Sequence, residues 1–313
     1  MKSQKFVSHL VRKISWNDID EKYVQHLIKT ARAEDIEGAG LKVAPKIAAD
    51  ITTMTLTPDA QISVALSSRK DIVVCGLKLV PIILDVYKSF SDVGDCVFVP
   101  TANDGDKLPA GAKLGEIKGS ARIILQAERI MLNFLQRLSG VATETAKYVA
   151  ALGNSPTRLL DTRKTTPMLR VLEKYAFACG GGFNHRMGLF DRVMLKDNHL
   201  VAAHAVSGEH LAEAVRIAKE KNPDVAIEVE VDKISQIQPV LDAKADVIML
   251  DNFSLSDLKK ALAIIDGNAW TEVSGGVTLK ILAAIGELAP DFVSSAAPVH
   301  SSCWIDIGLD EVK

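Results

Sequence analysis

The chain has 313 residues, of which 48% are hydrophobic and 24% charged, and its formal net charge is -2 at pH 7. This composition is that of a globular protein with a large core, and the charge excludes the strongly basic surface of a nucleic-acid-binding protein. We recognise neither a signal peptide nor an apolar run of the ~18 residues that a membrane span needs, so we expect no membrane partner. The four cysteines form no C-x-x-C pair. This favours reduced thiols and a cytoplasmic location over disulfides or a zinc site.

Residues 1–125 are predicted to form a separate α/β domain. Apolar residues at helical spacing indicate a helix within residues 1–35, and a second helix is expected at residues 77–87 if Pro81 lies in its first turn. Strands are predicted at residues 61–66, 71–75, 96–100 and 113–118. Turn residues rather than crossover helices connect them, which indicates mostly antiparallel pairing.

A long helical segment, residues 120–152, is predicted to link this domain to the next. Gly140 is its one strong helix breaker, so the pattern is compatible with one helix or two. Arg122, Arg129 and Arg137 lie on it, and arginines on a helix are most often solvated surface charges.

Residues 126–313 are predicted to form a catalytic β/α barrel domain, and the C-terminal end of the chain can return to the first domain. Apolar strand-like runs occur near residues 158–160, 193–195, 225–231, 247–250, 270–273 and 292–294. Helical segments separate them, at residues 166–178, 208–221, 234–243, 255–265 and 278–287. Repeated strand–helix units favour a parallel sheet with crossover helices. The segment is shorter than the about 250 residues of a complete eightfold barrel, so we expect an incomplete one.

Each of these apolar runs ends in polar or glycine residues. The ends are Asp161–Lys164, Lys196–His199, Asp251–Asn252, Ser274–Gly276 and Ser294–Ser295. In β/α barrels the carboxyl ends of the strands meet at one rim, and that rim forms the active site. An open doubly wound sheet would gather such residues mainly at one switch point, so five functional strand ends favour the barrel.

Cationic side chains are concentrated at these ends and in a glycine-flanked loop. A lone basic residue is usually surface charge, but a cluster at strand ends is typical of a pocket for a small polyanion. The candidates are Arg163, Lys164, His185, Arg186 and Lys196. The Gly180–Gly182 run permits a close backbone approach, although it is equally explained as a helix C-cap.

Carboxylates occupy one face of a neighbouring strand. Glu228, Glu230 and Asp232 alternate with Val and Ile, so they point to the same side. Glu230 together with Asp251 is a plausible oxygen site for Mg²⁺. An internal salt bridge from Glu230 or Asp251 to Lys164 or Lys196 is the alternative, and the two arrangements can alternate with ligand.

A possible phosphate site follows a later strand. Ser274-Gly275-Gly276 precedes a helix, whose free N–H groups can bind phosphate, although Ser-Gly is also an ordinary N-cap. The P-loop, the G-x-G-x-x-G fingerprint, H-E-x-x-H and G-x-S-x-G are all absent from the sequence. A small acid and a phosphorylated sugar would suit these groups together.

The ordered motifs resemble those of the quinolinate phosphoribosyltransferase family, whose members are also called nicotinate-nucleotide pyrophosphorylase (carboxylating). The similarity runs from Asp50-Ile51-Thr52-Thr53 to the C-terminus. It is most specific in DTRKT at 161–165, GGGFNHRMGLFD at 180–191, LKDNH at 195–199, EVEVD at 228–232, MLDN at 249–252 and SGG at 274–276.

The resemblance implies an N-terminal α/β sandwich domain and a C-terminal incomplete β/α barrel. It also implies a Mg²⁺-dependent reaction of quinolinate with phosphoribosyl pyrophosphate that gives nicotinate mononucleotide, pyrophosphate and CO₂, a step in NAD biosynthesis. The minimal active unit would be a homodimer, because Arg129 matches an arginine that enters the neighbouring subunit's site.

The same resemblance assigns residues to each substrate. For quinolinate they are Arg129, Arg163, His185, Arg186 and Lys196. For phosphoribosyl pyrophosphate they are Lys164, Glu230, Asp251, Ser274, Gly275, Gly276, Ala296 and His300. Lys164, Glu230 and Asp251 would act in catalysis, and Glu230 and Asp251 would hold the metal through substrate or water.

One segment departs from the family pattern. The last strand is followed by Ala296 where the family commonly has glycine, and Pro298 is also unusual. A positive φ at residue 296 would strain an alanine and weaken the contact to the 5′-phosphate.

Other functions are compatible with parts of the pattern. A Schiff-base aldolase would use Lys196 or Lys164 as nucleophile, but the surrounding arginines make it less suitable. A paralogue with another acceptor, such as the homologue found with molybdate transport, would not need the intact LKDNH and NHR segments. A non-catalytic binding protein would not need Glu230 and Asp251 beside the cations.

Overall fold

The computed structural model describes residues 2–91 and 94–312 and divides the chain into two compact units. The first unit contains the chain up to Lys13 and the stretches Thr145–Arg170 and Gly181–Ser301. The second contains Ile14–Glu144, Val171–Gly180 and the chain from Ser302 onward. The predicted boundary between residues 125 and 126 differs from this division, because it lies inside one long helix and ignores the exchange of segments at both chain ends.

The strands confirm the predicted alternation with small shifts at their ends. In chain order they are β1 Gln61–Ser68, β2 Ile72–Val73, β3 Cys96–Pro100, β4 Lys107–Leu108, β5 Lys113–Ser120, β6 Arg158–Leu160, β7 Val193–Leu195, β8 Ile227–Val231, β9 Val247–Asp251, β10 Trp270–Ser274, β11 Phe292–Ser294 and β12 Ile307–Glu311.

The helices occupy most of the predicted segments. They are α1 Val7–Leu10, α2 Glu21–Glu37, α3 Leu79–Lys88, α4 Ala121–Ala151, α5 Arg170–Cys179, α6 Asp197–Ala202, α7 Gly208–Lys221, α8 Ile237–Asp242, α9 Leu255–Ile265, α10 Leu279–Leu288 and α11 Ala297–His300. Within the described residues no helix has both the length and the apolar character needed to cross a membrane.

The second unit is built on an antiparallel sheet with the strand order β12-β1-β5-β3. The chain end supplies an edge strand, since Val64 of β1 pairs with Glu311 of β12. Pro81 is the third residue of α3, where its missing N–H costs no helical hydrogen bond. The expected antiparallel α/β domain is therefore confirmed.

Helix α4 continues unbroken through Gly140. The glycine is needed for packing, because a Cβ at this position would overlap the carbonyl oxygen of Cys303. Two of the arginines on α4 are not free surface charges. Arg137 donates to the buried Glu173 carboxylate at 2.6 and 2.9 Å, and Arg122 donates to the carbonyl of Leu56. Arg129 is exposed.

The first unit contains a six-stranded parallel sheet in the order β6-β11-β10-β9-β8-β7. Helices connect successive strands, as in a β/α barrel, but the sheet begins with β6 and ends with β7 rather than running through eight strands. The predicted fold class, an α/β protein with an incomplete barrel, is confirmed.

One face of this sheet changes in character along the strands. At the amino ends, Leu10 of α1 joins an apolar cluster that includes Val247, Trp270 and Phe292. Two residues after Trp270, Glu272 lies on the same face of β10, where the strand register places it beside Met249 of β9. Ser274 and Asp251 follow at the carboxyl ends. An apolar floor thus lies beneath a charged layer and a polar rim.

Replacement of Gly140 by alanine tests the close packing of α4. Alanine favours a helix over glycine by about 1 kcal/mol, but we expect Gly140→Ala to lower the free energy of unfolding by about 2 kcal/mol, because the overlap is with backbone. Urea denaturation measures the change. Gly286→Ala in α10 is the control. A Cβ there would meet Ser155 at 3.2 Å and Leu152 at 3.3 Å, which is a tight contact rather than an overlap, so its effect should be smaller. Equal effects of the two substitutions would contradict the packing argument.

Candidate active site

A cavity of about 300 Å³ opens at the carboxyl ends of the parallel strands. It is lined by Asp161, Thr162, Arg163, Lys164, His185, Arg186, Met194, Lys196, Met249, Glu272, Ser274 and Ser294. The five predicted cationic residues and Ser274 therefore meet at one place. Residues separated by more than a hundred positions are brought together because the strands are parallel.

Asp161, directly after β6, holds the loop that carries two of the cations. Its carboxylate is fully buried and accepts hydrogen bonds from the Asn184 side chain at 2.7 Å and the backbone N–H of His185 at 2.9 Å. Phe183 extends this attachment by pairing with Leu160 of β6. The loop after Gly182 is thereby fixed against the strand, which orients His185 and Arg186 toward the cavity.

A second anchor comes from the start of the chain. Arg12 donates to Asp191 at 3.1 Å and to the carbonyl of His185 at 3.2 Å. Asp191 also accepts the N–H of Met187. Burial alone would raise the pKa of Asp191, but these donors outweigh it and the pKa is lowered. Arg12 thus stabilises the loop from outside the cavity.

Arg163 and Arg186 place two guanidinium groups at the cavity. Burial and the neighbouring charge of Arg163 lower the pKa of Arg186. The buried Nε of Arg163 has no hydrogen-bond partner among the described residues. Two adjacent guanidiniums in this state favour an anionic ligand, since planar carboxylates and phosphates match their donors.

Lys196 and Glu230 form an ion pair at the rim, with 2.9 Å between Nζ and Oε2. Burial and the nearby Glu230 carboxylate raise the pKa of Asp251. The predicted salt bridge from Lys196 is therefore the observed arrangement, and it leaves Lys196 ill suited to act as an amine nucleophile. Glu230 also lines an adjoining cavity of about 350 Å³ with Asp197, Asp232 and Lys233.

The candidate phosphate loop follows β10. Gly275 has φ +87°, and a Cβ there would overlap Asn252, whose N–H donates to the carbonyl of Ser274 at 3.0 Å. Gly276 also has a positive φ of +57°. Ala296 has φ −87°, so an L-residue is unstrained there and the anticipated penalty does not arise. Pro298 lies in the first turn of α11, where it is tolerated.

Beneath the cationic residues lies a buried group of four charged or titratable side chains. Arg192 donates to Glu228 at 2.8 Å, and Nε2 of His185 lies 3.3 Å from Glu228 and 3.4 Å from Glu272. Burial opposes ionisation of Glu228, but His185 and Arg192 outweigh it and lower its pKa to about 2. Burial likewise opposes protonation of His185, but Glu272 and Glu228 outweigh it and raise its pKa.

This group resembles a metal site only superficially. Among the described residues, His185, Glu228 and Glu272 bring ligand atoms within 4.8 Å of one another. Arg192 contacts two of them, with Nη1 2.8 Å from Glu228 and 3.3 Å from Nε2 of His185. A guanidinium therefore already supplies positive charge to this set.

Several predicted residues lie away from the lining of the cavity. Arg129 is in the other unit, and His300 is exposed at the end of α11, where its ring contacts Ser301 at 2.7 Å. The structure also adds Arg12, Arg192 and Glu272, which the sequence reasoning did not single out. It placed Asp161 at a strand end and Glu228 on the carboxylate face of its strand, without giving either a role in the site. A signal was present for Glu272, a single charge inside the apolar strand Trp270–Ser274, and for Glu228, which alternates with apolar residues.

Comparison with known proteins identifies the family. The model of the quinolinate phosphoribosyl transferase C-terminal domain matches residues 141–310, and that of the N-terminal domain matches residues 50–139. The chain belongs to the quinolinate phosphoribosyltransferase family. Members of this family are phosphoribosyltransferases, so the protein is an enzyme.

Relatives and solved structures agree along nearly the whole chain. A mitochondrial quinolinate phosphoribosyltransferase [decarboxylating] of Nicotiana tabacum is 36% identical over 303 residues, covering 91% of this chain and 81% of the relative. A probable nicotinate-nucleotide pyrophosphorylase [carboxylating] of Synechocystis is 40% identical over 220 residues, covering 69% and 73%. The structure of the nicotinate-nucleotide pyrophosphorylase from Francisella tularensis superposes with a TM-score of 0.83 at 35% identity, covering 96% of this chain and 99% of that one.

The buried ion pair of Glu228 gives a pH-dependent stability. Because its pKa is depressed from 4.5 to about 2, ionised Glu228 stabilises the fold above pH 4.5, and this contribution is lost as the pH falls through about 2. We expect Glu228→Gln to cost about 3–5 kcal/mol at pH 7, since Arg192 is left buried without its partner charge.

Urea denaturation of both proteins between pH 7 and pH 2 measures this difference. The difference in free energy of unfolding between wild type and Glu228→Gln should become smaller as the pH falls. Glu287→Gln on the exposed face of α10 is the control and should change little at any pH. A gap that stays constant down to pH 2 would contradict the assignment.

Proposed function

We propose that the protein transfers the phosphoribosyl group of phosphoribosyl pyrophosphate to quinolinate with loss of CO₂. The products are nicotinate mononucleotide and pyrophosphate, and the reaction requires Mg²⁺. The observation that carries this proposal is the pair of guanidiniums, Arg163 and Arg186, at a cavity of about 300 Å³ whose Lys196 is paired with the carboxylate of Glu230. A cavity of this size accommodates a small aromatic acid.

Quinolinate, a dicarboxylate, is the anion that these cations accept. Arg163 and Arg186 each offer bidentate donors to a carboxylate, and Lys196 adds a point charge at the rim. His185 lies at the floor of the same cavity. Bound in this way, the pyridine ring is held with its nitrogen directed toward the second substrate, which lowers the entropic cost of the reaction.

Phosphoribosyl pyrophosphate occupies the rim. Glu230 and Asp251 accept hydrogen bonds from the ribose hydroxyls, and Lys164 contacts both substrates. Ser274, Gly275 and Gly276 hold a phosphate through their N–H groups at a glycine-rich turn. Ala296 and His300 complete the phosphate contacts.

The carboxylate pair also fits Mg²⁺. Burial and the nearby Glu230 carboxylate raise the pKa of Asp251, a cation would offset both effects, and hard oxygen ligands suit this ion. Mg²⁺ held directly or through water and substrate would supply charge for the departing pyrophosphate. Glu230 and Asp251 also stabilise the positive charge that develops on the anomeric carbon.

A homodimer is the proposed active assembly. Arg129 is exposed on α4 and has no place among the lining residues of the cavity, so we propose that it reaches the quinolinate of a second copy.

The free cysteines are compatible with the proposed cytoplasmic location.

A turnover assay tests the proposed reaction. Purified protein is mixed with quinolinate, phosphoribosyl pyrophosphate and Mg²⁺, and nicotinate mononucleotide and CO₂ are followed together. We expect Arg163→Ala to lower kcat/KM for quinolinate about 100-fold, because a charge-assisted bidentate contact contributes roughly 3 kcal/mol. Arg163→Lys should recover only part of the loss, since lysine lacks the planar donor pair.

Arg216→Ala is the matched control. Arg216 is an arginine on α7 that pairs with exposed Glu209 and Glu213 at the surface. Its removal should leave kcat/KM unchanged. Pyrophosphate release with another acceptor but not with quinolinate would keep the phosphoribosyl chemistry and replace the proposed acid.

A further inference from the structure

Glu272 is a buried carboxylate at the cavity that the proposed reaction leaves unused. Its side chain is fully buried, and it lines the cavity from the middle of β10. Neither of its oxygens has a hydrogen-bond partner among the described residues. An ionised carboxylate in this condition is costly, because desolvation is not offset by donors. A hydrogen-bond donor or a positive charge close to Glu272 would offset this cost.

A count of charges locates one extra proton beside Glu272. Arg192 and Glu228 neutralise each other at 2.8 Å. This leaves Glu272 with His185, whose Nε2 lies 3.4 Å away. An ionised carboxylate beside a neutral imidazole has a net negative charge. The pair is neutral only when it holds one more proton.

The surroundings direct this proton toward the cavity. On the other side of the imidazole, Nδ1 accepts the backbone N–H of Arg186 at 2.7 Å, so it is not the side from which a proton leaves. Asp161 is engaged by Asn184 and the His185 backbone, and Glu228 by Arg192. The remaining charged groups that line the cavity, Arg163, Lys164, Arg186 and Lys196, are cationic, and positive charge nearby makes release of a proton easier.

We propose that Glu272 is a further catalytic residue, and that the Glu272–His185 pair protonates the ring carbon from which CO₂ departs. This inference rests on the proposed function. When the bond from the ring carbon to its carboxylate breaks, the electron pair remains on the carbon, next to the positively charged ring nitrogen. The carbon takes the proton of the pair and forms a C–H bond. The pair is left one proton short and regains it from water.

The experiment separates the two halves of the reaction in a single turnover. Quinolinate labelled in the carboxylate next to the ring nitrogen is mixed with phosphoribosyl pyrophosphate, Mg²⁺ and excess enzyme. Pyrophosphate and labelled CO₂ are then quantified from the same quenched samples. Wild-type protein should release both in equal amounts.

Glu272→Gln should keep pyrophosphate release within about threefold of wild type and slow CO₂ release at least tenfold, so that a mononucleotide with both carboxylates accumulates. In wild type, CO₂ release should decline as rising pH removes the proton from the pair, and the variant should lack this decline. Glu287→Gln, at an exposed position of α10, is the matched control and should behave as wild type.

Two results would overturn the proposal. Equal slowing of pyrophosphate and CO₂ release would mean that Glu272 acts in folding or binding. Wild-type protein that releases no pyrophosphate would remove the proposed function and this inference with it, whereas a defect confined to CO₂ touches the inference alone. If Glu272→Gln does not fold, Glu272→Asp decides in its place. The shorter aspartate side chain places its carboxyl group farther from His185. Slower CO₂ release with unchanged pyrophosphate release would support the proposal, and CO₂ release as fast as in wild type would contradict it.

Discussion

Two carboxylates are buried inside the parallel sheet, and the need to place positive groups beside them determines how this interior is arranged. Glu228 and Glu272 are fully excluded from solvent, where a buried charge is costly unless an opposite charge lies nearby. Arg192 and His185 provide it, and both lie on the stretch between α5 and β7. The position of that stretch is therefore fixed by electrostatics as much as by packing. The same contacts bring Arg186 to the cavity.

A gradient of polarity along the strands separates stability from chemistry. Trp270 stacks on Phe292 at the amino ends, with ring centroids 5.6 Å apart, and Leu10 fills the same apolar cluster. Glu272 follows two residues after Trp270 on the same face of β10, and Ser274 follows at the rim. A ligand at the rim thus meets charged groups supported by a rigid apolar floor. Such support keeps catalytic groups positioned without cost during the reaction.

Periodicity was sufficient to predict most of the fold. Alternating apolar runs and helical segments located the strands of the barrel unit to within about two residues, because each strand is buried on both faces and reads as a continuous apolar run. The exchange of chain ends was harder to foresee. Leu10 and Ile307 look like ordinary apolar residues. The cluster that Leu10 enters and the strand with which Ile307 pairs are determined by distant partners such as Trp270 and Ser68.

The site was predictable where residue type and strand position coincide. Arg163, Lys164 and Lys196 follow strands directly, and parallel strands bring such positions together. The supporting residues carry signals in the sequence that do not reveal their roles. Asp161 acts through Asn184 and a backbone N–H, contacts that only the folded loop reveals. Ala296 shows the reverse case, since its apparent penalty depended on a φ angle that sequence does not contain.

The pairing of β12 with β1 bears on how the protein is made. Strands are synthesised in chain order, and β1 must wait for the last strand before both of its edges are paired. All strands of the parallel sheet precede Ser301 and are available earlier. The unit whose strands begin first on the ribosome is thus completed last. In the interval, β1 presents an open edge, and nascent chains with such edges depend on rapid completion or on chaperones to avoid association.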